Sequence, residues 1–194
     1  IGVAFSGGGA KGCAHIGVLR VLEELRVPVD YAAGASMGAI VGGLYAAGLD
    51  PDQLTEVLTT VDWADALTDK PDRDDLVFRR KNDDLRYIPD LEVGVGKGGL
   101  RLPTGLRSGQ KLNYLLRTFT LPVRTVRDFD ELPIPFRVVA TDIATGEMVV
   151  LDHGDLGRAM RASMAIPTAF SAVEMDGRLL VDGGIANNLP IDEA

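Results

Sequence analysis

The sequence is poor in several residues and patterns that commonly indicate a function. Its single cysteine, Cys13, excludes an internal disulfide, and its two histidines leave few candidates for a histidine base. No apolar stretch reaches the roughly 18 residues that a membrane-spanning helix needs, because glycine, proline or charged residues interrupt each one. The 28 acidic residues outnumber the 20 basic ones, which argues against a nucleic-acid partner and against simple electrostatic binding to a membrane.

The length and the pattern of the chain suit a single α/β domain. Its 194 residues can bury one sizeable core and no linker divides them, so we expect one domain over residues 1–194, truncated at its C-terminus. Short apolar strands at residues 1–5 and 27–33 alternate with helical patterns at residues 13–25 and 39–47. This order predicts an α/β fold of three layers, with a central, mainly parallel sheet covered by helices on both faces.

Local patterns add sharper structural predictions. In the first helix, the spacing predicts a core-facing stripe and a glycine, Gly17, that lets the helix approach the sheet. The residues of this stripe are Ala14, Val18, Leu22 and Leu25. Later in the chain, Asp176-Gly177 separates two short apolar runs and predicts a β-hairpin. Residues 63–103 interrupt the regular pattern, although residues 93–102 predict a glycine-rich hairpin. We interpret the segment either as a cap or rim over the site or as a solvated surface loop.

A nucleophilic serine is indicated at Ser36, within Gly34-Ala-Ser-Met-Gly38. An apolar run precedes this motif and a small-residue helical pattern follows it, so the serine lies where a strand turns sharply into a helix. Gly34 and Gly38 would tolerate the strained, close-packed backbone of such a turn. The free N–H groups at the start of the helix would favour negative charge beside Ser36. An ordinary helix N-cap is the alternative interpretation of the same pattern.

A serine hydroxyl is a weak nucleophile until a base takes its proton, so the next question is which residue serves as that base. His15 lies inside the first helix and His153 in a predicted turn, and we interpret both as structural or surface residues. Asp182 ends a predicted strand, and Gly183 and Gly184 after it leave room for close approach of backbone or substrate. A partly desolvated carboxylate at the carboxyl end of a strand is a competent base, which favours Asp182.

A glycine-rich loop after the first strand supports two interpretations. The loop, Gly7-Gly-Gly-Ala-Lys-Gly12, matches a dinucleotide-binding pattern when it is taken together with Asp30. Equally, the N–H groups of Gly7, Gly8 and Gly9 would donate to the oxyanion of a tetrahedral intermediate. A P-loop is excluded, because no Lys followed by Ser or Thr comes after the loop. The loop, the serine motif and the carboxylate together favour an acyl hydrolase, which needs all three.

In this order, the three motifs resemble the patatin-like phospholipase family. The resemblance rests on the glycine loop, on the motif around Ser36 and on Asp182-Gly-Gly184, and it extends to residues 141–147 and 161–167. It implies that Ser36 and Asp182 form a catalytic dyad without histidine, that the backbone of residues 7–9 forms the oxyanion hole, and that no metal or cofactor takes part. It also implies the α/β fold of that family, which is related to cytosolic phospholipase A2 catalytic domains.

The implied activity is hydrolysis of acyl esters in phospholipids or other lipids, of phospholipase A type, through an acyl-enzyme. A transacylase or a soluble carboxylesterase would carry the same motifs, and a dinucleotide-binding protein or a catalytically silent lipid-binding module are alternatives from other classes. The implied partners are an acyl-ester lipid and, transiently, a membrane surface, with a homodimer left open. Residues 78–81 and 141–147 look most like bacterial members, which favours a secreted or outer-membrane-associated protein over a cytoplasmic one.

Lipid contacts are expected in the irregular segment, residues 63–103. The apolar side chains available there are Trp63, Leu76, Phe78, Tyr87 and Leu91. The basic cluster at residues 79–81 is either a contact for phosphate headgroups or a solvated cluster.

Overall fold

A computed structural model describes most of the chain. The described residues are 1–68 and 108–194, with Asp74, Val77, Phe78 and residues 94–96 and 99–101 between these two parts. The helices are α1 (Ala14–Glu24), α2 (Met37–Ala46), α3 (Pro51–Thr60), α4 (Trp63–Ala66), α5 (Gln110–Phe119) and α6 (Leu156–Ser163). The strands are β1 (Gly2–Phe5), β2 (Tyr31–Ala35), β3 (Gly94–Gly96), β4 (Gly99–Arg101), β5 (Phe136–Asp142), β6 (Met148–Leu151), β7 (Val173–Met175) and β8 (Arg178–Asp182). None of the helices in the described ranges is long and apolar enough to cross a bilayer.

The α/β class is confirmed, and the central sheet is mixed. Strands β1, β2 and β5 run parallel to one another, as predicted. The pairings of β5 with β6, of β5 with β8 and of β7 with β8 are antiparallel, so the prediction of a mainly parallel sheet holds only on one side. The physical reason is the length of the connections, because a parallel return needs a dozen or more residues. Only residues 143–147 join β5 to β6, and Asp176-Gly177 alone joins β7 to β8.

Strand β5 organises the part of the sheet that matters for the site. Along one of its edges, residues 138–141 pair with β6. The other edge is shared, because residues 136–139 pair with β2 and residues 140–142 pair with β8. Since β2 runs parallel to β5 and β8 runs antiparallel to it, the carboxyl ends of β2 and β8 meet on this edge of β5.

Helix α2 is the central helix of the hydrophobic core. All of its residues except Tyr45 are buried, as expected for a helix that is apolar on every side. Its glycines fit between large side chains: a Cβ at Gly42 would lie 2.7 Å from the ring of Phe5, and one at Gly43 would lie 2.9 Å from the sulfur of Met160. This close packing fixes the helix that begins immediately after Ser36.

In helix α1, most of the residues that were predicted to face the core are exposed. Of the predicted stripe, Leu22 packs on the core. Val18 and Leu25 are 55% and 68% exposed and Ala14 is exposed too, whereas Ile16 and Leu19 are buried. A Cβ at Gly17 would meet no atom within 4 Å, so this glycine does not serve close approach to the sheet. The helix carries two apolar stripes at helical spacing, and periodicity alone does not show which one faces the protein.

Two other local predictions are confirmed. The Asp176-Gly177 turn has φ angles of 49° and 75°, the left-handed conformation of a tight hairpin. Within the irregular segment, β3 and β4 form the antiparallel hairpin that the glycine pattern predicts.

Trp63 is one of the predicted lipid contacts in that segment. Its indole N–H donates to the carbonyl of Leu58 at 2.9 Å, and its ring packs on the core.

The other predicted lipid contacts in that segment have different outcomes. Phe78 is exposed. Leu76, Tyr87, Leu91 and residues 79–81 lie outside the described residues. The function of residues 63–103 as a cap or rim therefore stays a prediction.

Candidate active site

Ser36 occupies a strained turn between β2 and α2. Its φ of 53° and ψ of −123° are rare for a residue with a side chain, and such strain is typical of a nucleophile on a strand-to-helix turn. Ser36 is the residue that precedes α2, yet its side chain does not cap that helix. The hydroxyl instead donates to Oδ2 of Asp182 at 2.8 Å, which excludes the N-cap alternative.

The two flanking glycines are required by close contacts. A Cβ at Gly34 would lie 2.5 Å from the carbonyl oxygen of Gly38, across the turn. A Cβ at Gly38 would lie 2.2 Å from the carbonyl oxygen of Phe5, at the end of β1. Both distances are below any real Cβ contact, so a larger residue at either position would open the turn or push it away from the sheet.

Strand β5 brings Ser36 and Asp182 together. Ala35, the last residue of β2, lies opposite Val139, and Asp182, the last residue of β8, lies opposite Ala140. The ends of two strands that are far apart in sequence therefore meet at consecutive residues of one strand. This arrangement explains how the pair forms across 146 positions of sequence.

The carboxylate of Asp182 is buried and hydrogen-bonded at both oxygens. The side chain is 8% exposed, Oδ2 accepts from Ser36, and Oδ1 accepts from the N–H of Gly184 at 2.8 Å. Burial raises the pKa of Asp182, and the hydrogen bonds from Ser36 and Gly184 oppose that rise. A Cβ at Gly183 would lie 2.0 Å from the carbonyl oxygen of Val139, so the glycine after Asp182 lets the chain pass directly over β5.

Ser163, at the end of α6, is a site residue to which the sequence pattern assigned no role. It is fully buried, and its Oγ accepts the backbone N–H of Ser36 at 2.8 Å. The same hydroxyl donates to the carbonyl of Val139 at 2.5 Å. Ser163 lies within residues 161–167, one of the segments on which the family resemblance rests, but nothing in its spacing indicates a contact with Ser36.

The glycine loop lies against Ser36. A Cβ at Gly7 would lie 3.0 Å from the Cβ of Ser36, and the N–H of Gly7 donates to the carbonyl of Asn188 at 3.1 Å. The side-chain amide of Asn188 also donates to the carbonyl of Gly7, at 3.4 Å. The Gly7 N–H is therefore engaged and not directed at an oxyanion, contrary to its predicted use. The N–H groups of Gly8 and Gly9 form no hydrogen bond within the described part of the chain.

Neither histidine contacts the Ser36–Asp182 pair. The Nε2 atom of His15 donates to the carbonyl of Ser6 at 3.0 Å, and its ring packs edge-on against Phe5. His153 is exposed and bonds Asp152 through Nδ1 at 2.6 Å, and this contact raises the pKa of the imidazole. Both are therefore structural or surface residues, as predicted.

In the described part of the chain, the surroundings of the pair show no metal-ligating group. Among residues 1–68 and 108–194, no three His, Cys, Asp or Glu side chains are grouped as ligands of a metal ion would be. Two of the exposed residues close to Asp182 are apolar. Ile185 follows its two glycines and Ile166 follows Ala165, whose carbonyl accepts the N–H of Asp182 at 3.0 Å.

Comparison with proteins of known sequence places these features in a family. The chain is 35% identical over 191 residues to an uncharacterised NTE family protein of Mycobacterium tuberculosis, covering 98% of this chain and 44% of that protein. It is 33% identical over 196 residues to human patatin-like phospholipase domain-containing protein 6, covering 100% of this chain and 12% of that protein. The chain therefore spans less than half the length of these relatives.

Comparison with solved structures supports the fold. The structure of VipD from Legionella pneumophila matches with a TM-score of 0.62 and 18% identity, over 100% of this chain and 47% of VipD. ExoU of Pseudomonas aeruginosa, in its complex with SpcU, matches with a TM-score of 0.51 and 16% identity, over 85% of this chain and 37% of that chain. At these identities, the likeness shows the fold alone.

A family model decides the assignment. The model of the patatin-like phospholipase family matches residues 3–194, a range that contains the glycine loop, Ser36, Ser163 and Asp182. Because that match covers nearly the whole sequence, the chain belongs to the patatin-like phospholipase family.

Proposed function

We propose that this chain hydrolyses the acyl esters of phospholipids, with Ser36 as the nucleophile and Asp182 as its base. The observation that carries the proposal is the 2.8 Å hydrogen bond from the Ser36 hydroxyl to Oδ2 of Asp182, formed at a strained strand-to-helix turn. The raised pKa of Asp182 strengthens the carboxylate as a base while leaving the proton-accepting oxygen in contact with the hydroxyl.

In the first step, Asp182 takes the Ser36 proton as Oγ attacks the ester carbonyl carbon. The carbonyl oxygen becomes an oxyanion, for which the unengaged N–H groups of Gly8 and Gly9 and the first N–H groups of α2 are the available donors. When the tetrahedral intermediate collapses, the carbon–oxygen bond to the alcohol breaks, and protonated Asp182 returns the proton to the leaving oxygen. An acyl-enzyme at Ser36 remains.

In the second step, water replaces the alcohol. Asp182 takes one proton from water as the water oxygen attacks the acyl carbon, and it then returns that proton to Oγ of Ser36. The products are a free fatty acid and the regenerated hydroxyl. Roughly 10²- to 10⁴-fold in rate is the contribution expected from a positioned base, and about 10²- to 10³-fold from each oxyanion donor.

Apolar side chains near the pair support a lipid substrate. Ile166, Ile185 and Leu189 are 48%, 57% and 47% exposed on the segments that flank Asp182 and that contact the glycine loop. Exposed aliphatic side chains at the rim of a hydrolytic site would contact acyl chains and exclude water from them. With a net charge of −8, such apolar contact is a better source of affinity for lipid than charge attraction.

The decisive experiment combines a serine-directed fluorophosphonate probe with release of fatty acid from phosphatidylcholine vesicles. The probe should label Ser36 alone, and Ser36→Ala should lose both labelling and turnover, whereas Ser171→Ala should keep both. Asp182→Asn should slow both by at least 10²-fold.

The matched control for the base is Asp176→Asn, since Asp176 also precedes a glycine but lies in the turn before β8, at the opposite end of that strand from Asp182. Its activity should equal that of the wild type. Turnover that persists in folded Ser36→Ala would reject the nucleophile, and equal losses in the two Asp variants would reject Asp182 as a specific base. Labelling of Ser36 without release of fatty acid would support Ser36 as the nucleophile but reject phospholipid as the substrate.

A further inference from the structure

A groove lined by arginines lies between α5, α6 and the beginning of β7. Its volume is about 550 Å³. The charged residues that line it are Arg117, Arg127, Arg158, Arg161 and Asp155. Neither member of the Ser36–Asp182 pair, nor any residue of the glycine loop, lines this groove. It is therefore a separate feature of the surface, and the proposed hydrolysis does not use it.

The charge of this arginine groove is opposite to that of the whole chain. Among the described residues, four arginines and one aspartate line it, although the chain as a whole has a net charge of −8. Like charges that surround one concave space repel each other and raise the local positive potential. Such an arrangement favours an anion in the space between them.

The one aspartate among the described lining residues is already engaged. Oδ1 of Asp155 accepts the N–H of Arg158 at 2.9 Å and so caps α6. Its Oδ2 lies 3.7 Å from Nε of Arg117, which is a long contact on a largely exposed guanidinium. Among the described residues that line the groove, Asp155 is the one acid, and it stands against the three exposed arginines Arg117, Arg127 and Arg158.

The arginines differ in how firmly they are held. Arg161 is 3% exposed, and its guanidinium donates to the carbonyl of Ser108 at 2.9 Å and lies 4.9 Å from the centre of the Phe170 ring. Arg158 donates to the carbonyl of Glu174 at 2.5 Å. These carbonyls and the ring hold the two guanidinium groups in place at the groove. Arg117 and Arg127 are exposed at its border.

We propose that the arginine groove binds a phosphate-bearing anion. Planar guanidinium groups match phosphate oxygens with paired hydrogen bonds, and several of them around one space are the arrangement that a doubly charged phosphate requires. The phosphate belongs either to a soluble compound or to the headgroup of an anionic lipid. The two sources share this chemistry, and separate arms of the test distinguish them.

The test measures binding without turnover, so its result does not depend on the proposed hydrolase activity. One arm titrates the chain with inorganic pyrophosphate by calorimetry. The other measures co-sedimentation with phosphatidylcholine vesicles with and without phosphatidic acid. Arg127→Gln and Arg158→Gln should each weaken saturable binding about tenfold, the equivalent of one lost charge-assisted contact of about 1.4 kcal/mol. Higher salt should weaken it further.

Arg124→Gln is the matched control, because Arg124 is an exposed arginine nearby in sequence that does not line the groove. It should bind as the wild type does. Arginine-dependent binding of pyrophosphate assigns a soluble phosphate as ligand, and such binding of phosphatidic acid vesicles alone assigns a headgroup. No saturable binding in either arm, or equal binding by the wild type and both groove variants, would overturn the proposal. So would an equal loss in Arg124→Gln.

Discussion

Removal of the Ser163 hydroxyl is expected to damage both the fold and the proposed nucleophile. Ser163 is fully buried, and its Oγ joins the N–H of Ser36 at 2.8 Å to the carbonyl of Val139 at 2.5 Å. In Ser163→Ala, both groups lose this partner in a place where water does not replace it. An unsatisfied buried polar group costs about 1–3 kcal/mol, so we expect a loss of about 2 kcal/mol in the free energy of unfolding.

For a chain of this length, that loss corresponds to a melting temperature lower by roughly 4–8 °C. Activity should fall as well, because the lost hydrogen bond holds the backbone of the residue that carries the nucleophilic oxygen. A small misplacement of a reacting group costs up to about 10²-fold in rate. The fall should appear in kcat and not in KM, since Ser163 is buried and contacts no substrate in the proposed mechanism.

The assays are urea unfolding, the rate of fluorophosphonate labelling and steady-state kinetics with a soluble acyl ester. Ser171→Ala is the control, because the Ser171 hydroxyl forms no hydrogen bond with any described residue and should change none of these measurements. A Ser163→Ala protein that is less stable but has wild-type kcat would show that the hydroxyl supports only the fold. Unchanged stability would contradict the hydrogen-bond argument itself.

Three further predictions concern stability. Burial raises the pKa of Asp182, so the stability that the protonated carboxyl contributes is present below the ordinary pKa of about 3.9 and is lost as pH rises through the raised value. Asp182→Asn should therefore be more stable than the wild type at neutral pH. Urea titrations at several pH values should show this difference shrinking as pH is lowered. Gly183→Ala should destabilise the protein by roughly 1–3 kcal/mol, because its Cβ would lie 2.0 Å from the carbonyl of Val139. Gly17→Ala, with no atom within 4 Å of its Cβ, should instead stabilise α1 by up to about 1 kcal/mol, and the same sign for both glycine variants would contradict this reading of the packing.

Features that depend on neighbouring residues were predictable from the sequence. The turn at Ser36 needs two glycines within four positions of each other, and the hairpin before Asp182 needs an Asp-Gly pair, so both signals are local. Asp182 was identified as the partner of Ser36 because it ends a strand and precedes glycines. The antiparallel direction of β6 was also readable in principle, since residues 143–147 are too few for a parallel return.

Features that depend on long-range packing were not predictable. The contact between Ser36 and Ser163 spans 127 positions, and the one between Gly7 and Asn188 spans 181. A buried serine, or an asparagine in a loop, carries no spacing that points to its partner. The exposed stripe of α1 has the same cause, because the choice between two apolar faces is made by the helices that pack against it, and not by the period of the helix.

The described site combines two features that each reduce stability. A non-glycine residue at positive φ costs about 1–3 kcal/mol, and a buried carboxylate is held at a raised pKa. Both persist because β5 constrains them from one side: Val139 pairs with Ala35 and accepts from Ser163, while Ala140 pairs with Asp182. Strand β5 therefore sets the distance between the proposed nucleophile and its base, although none of its side chains takes part in the chemistry.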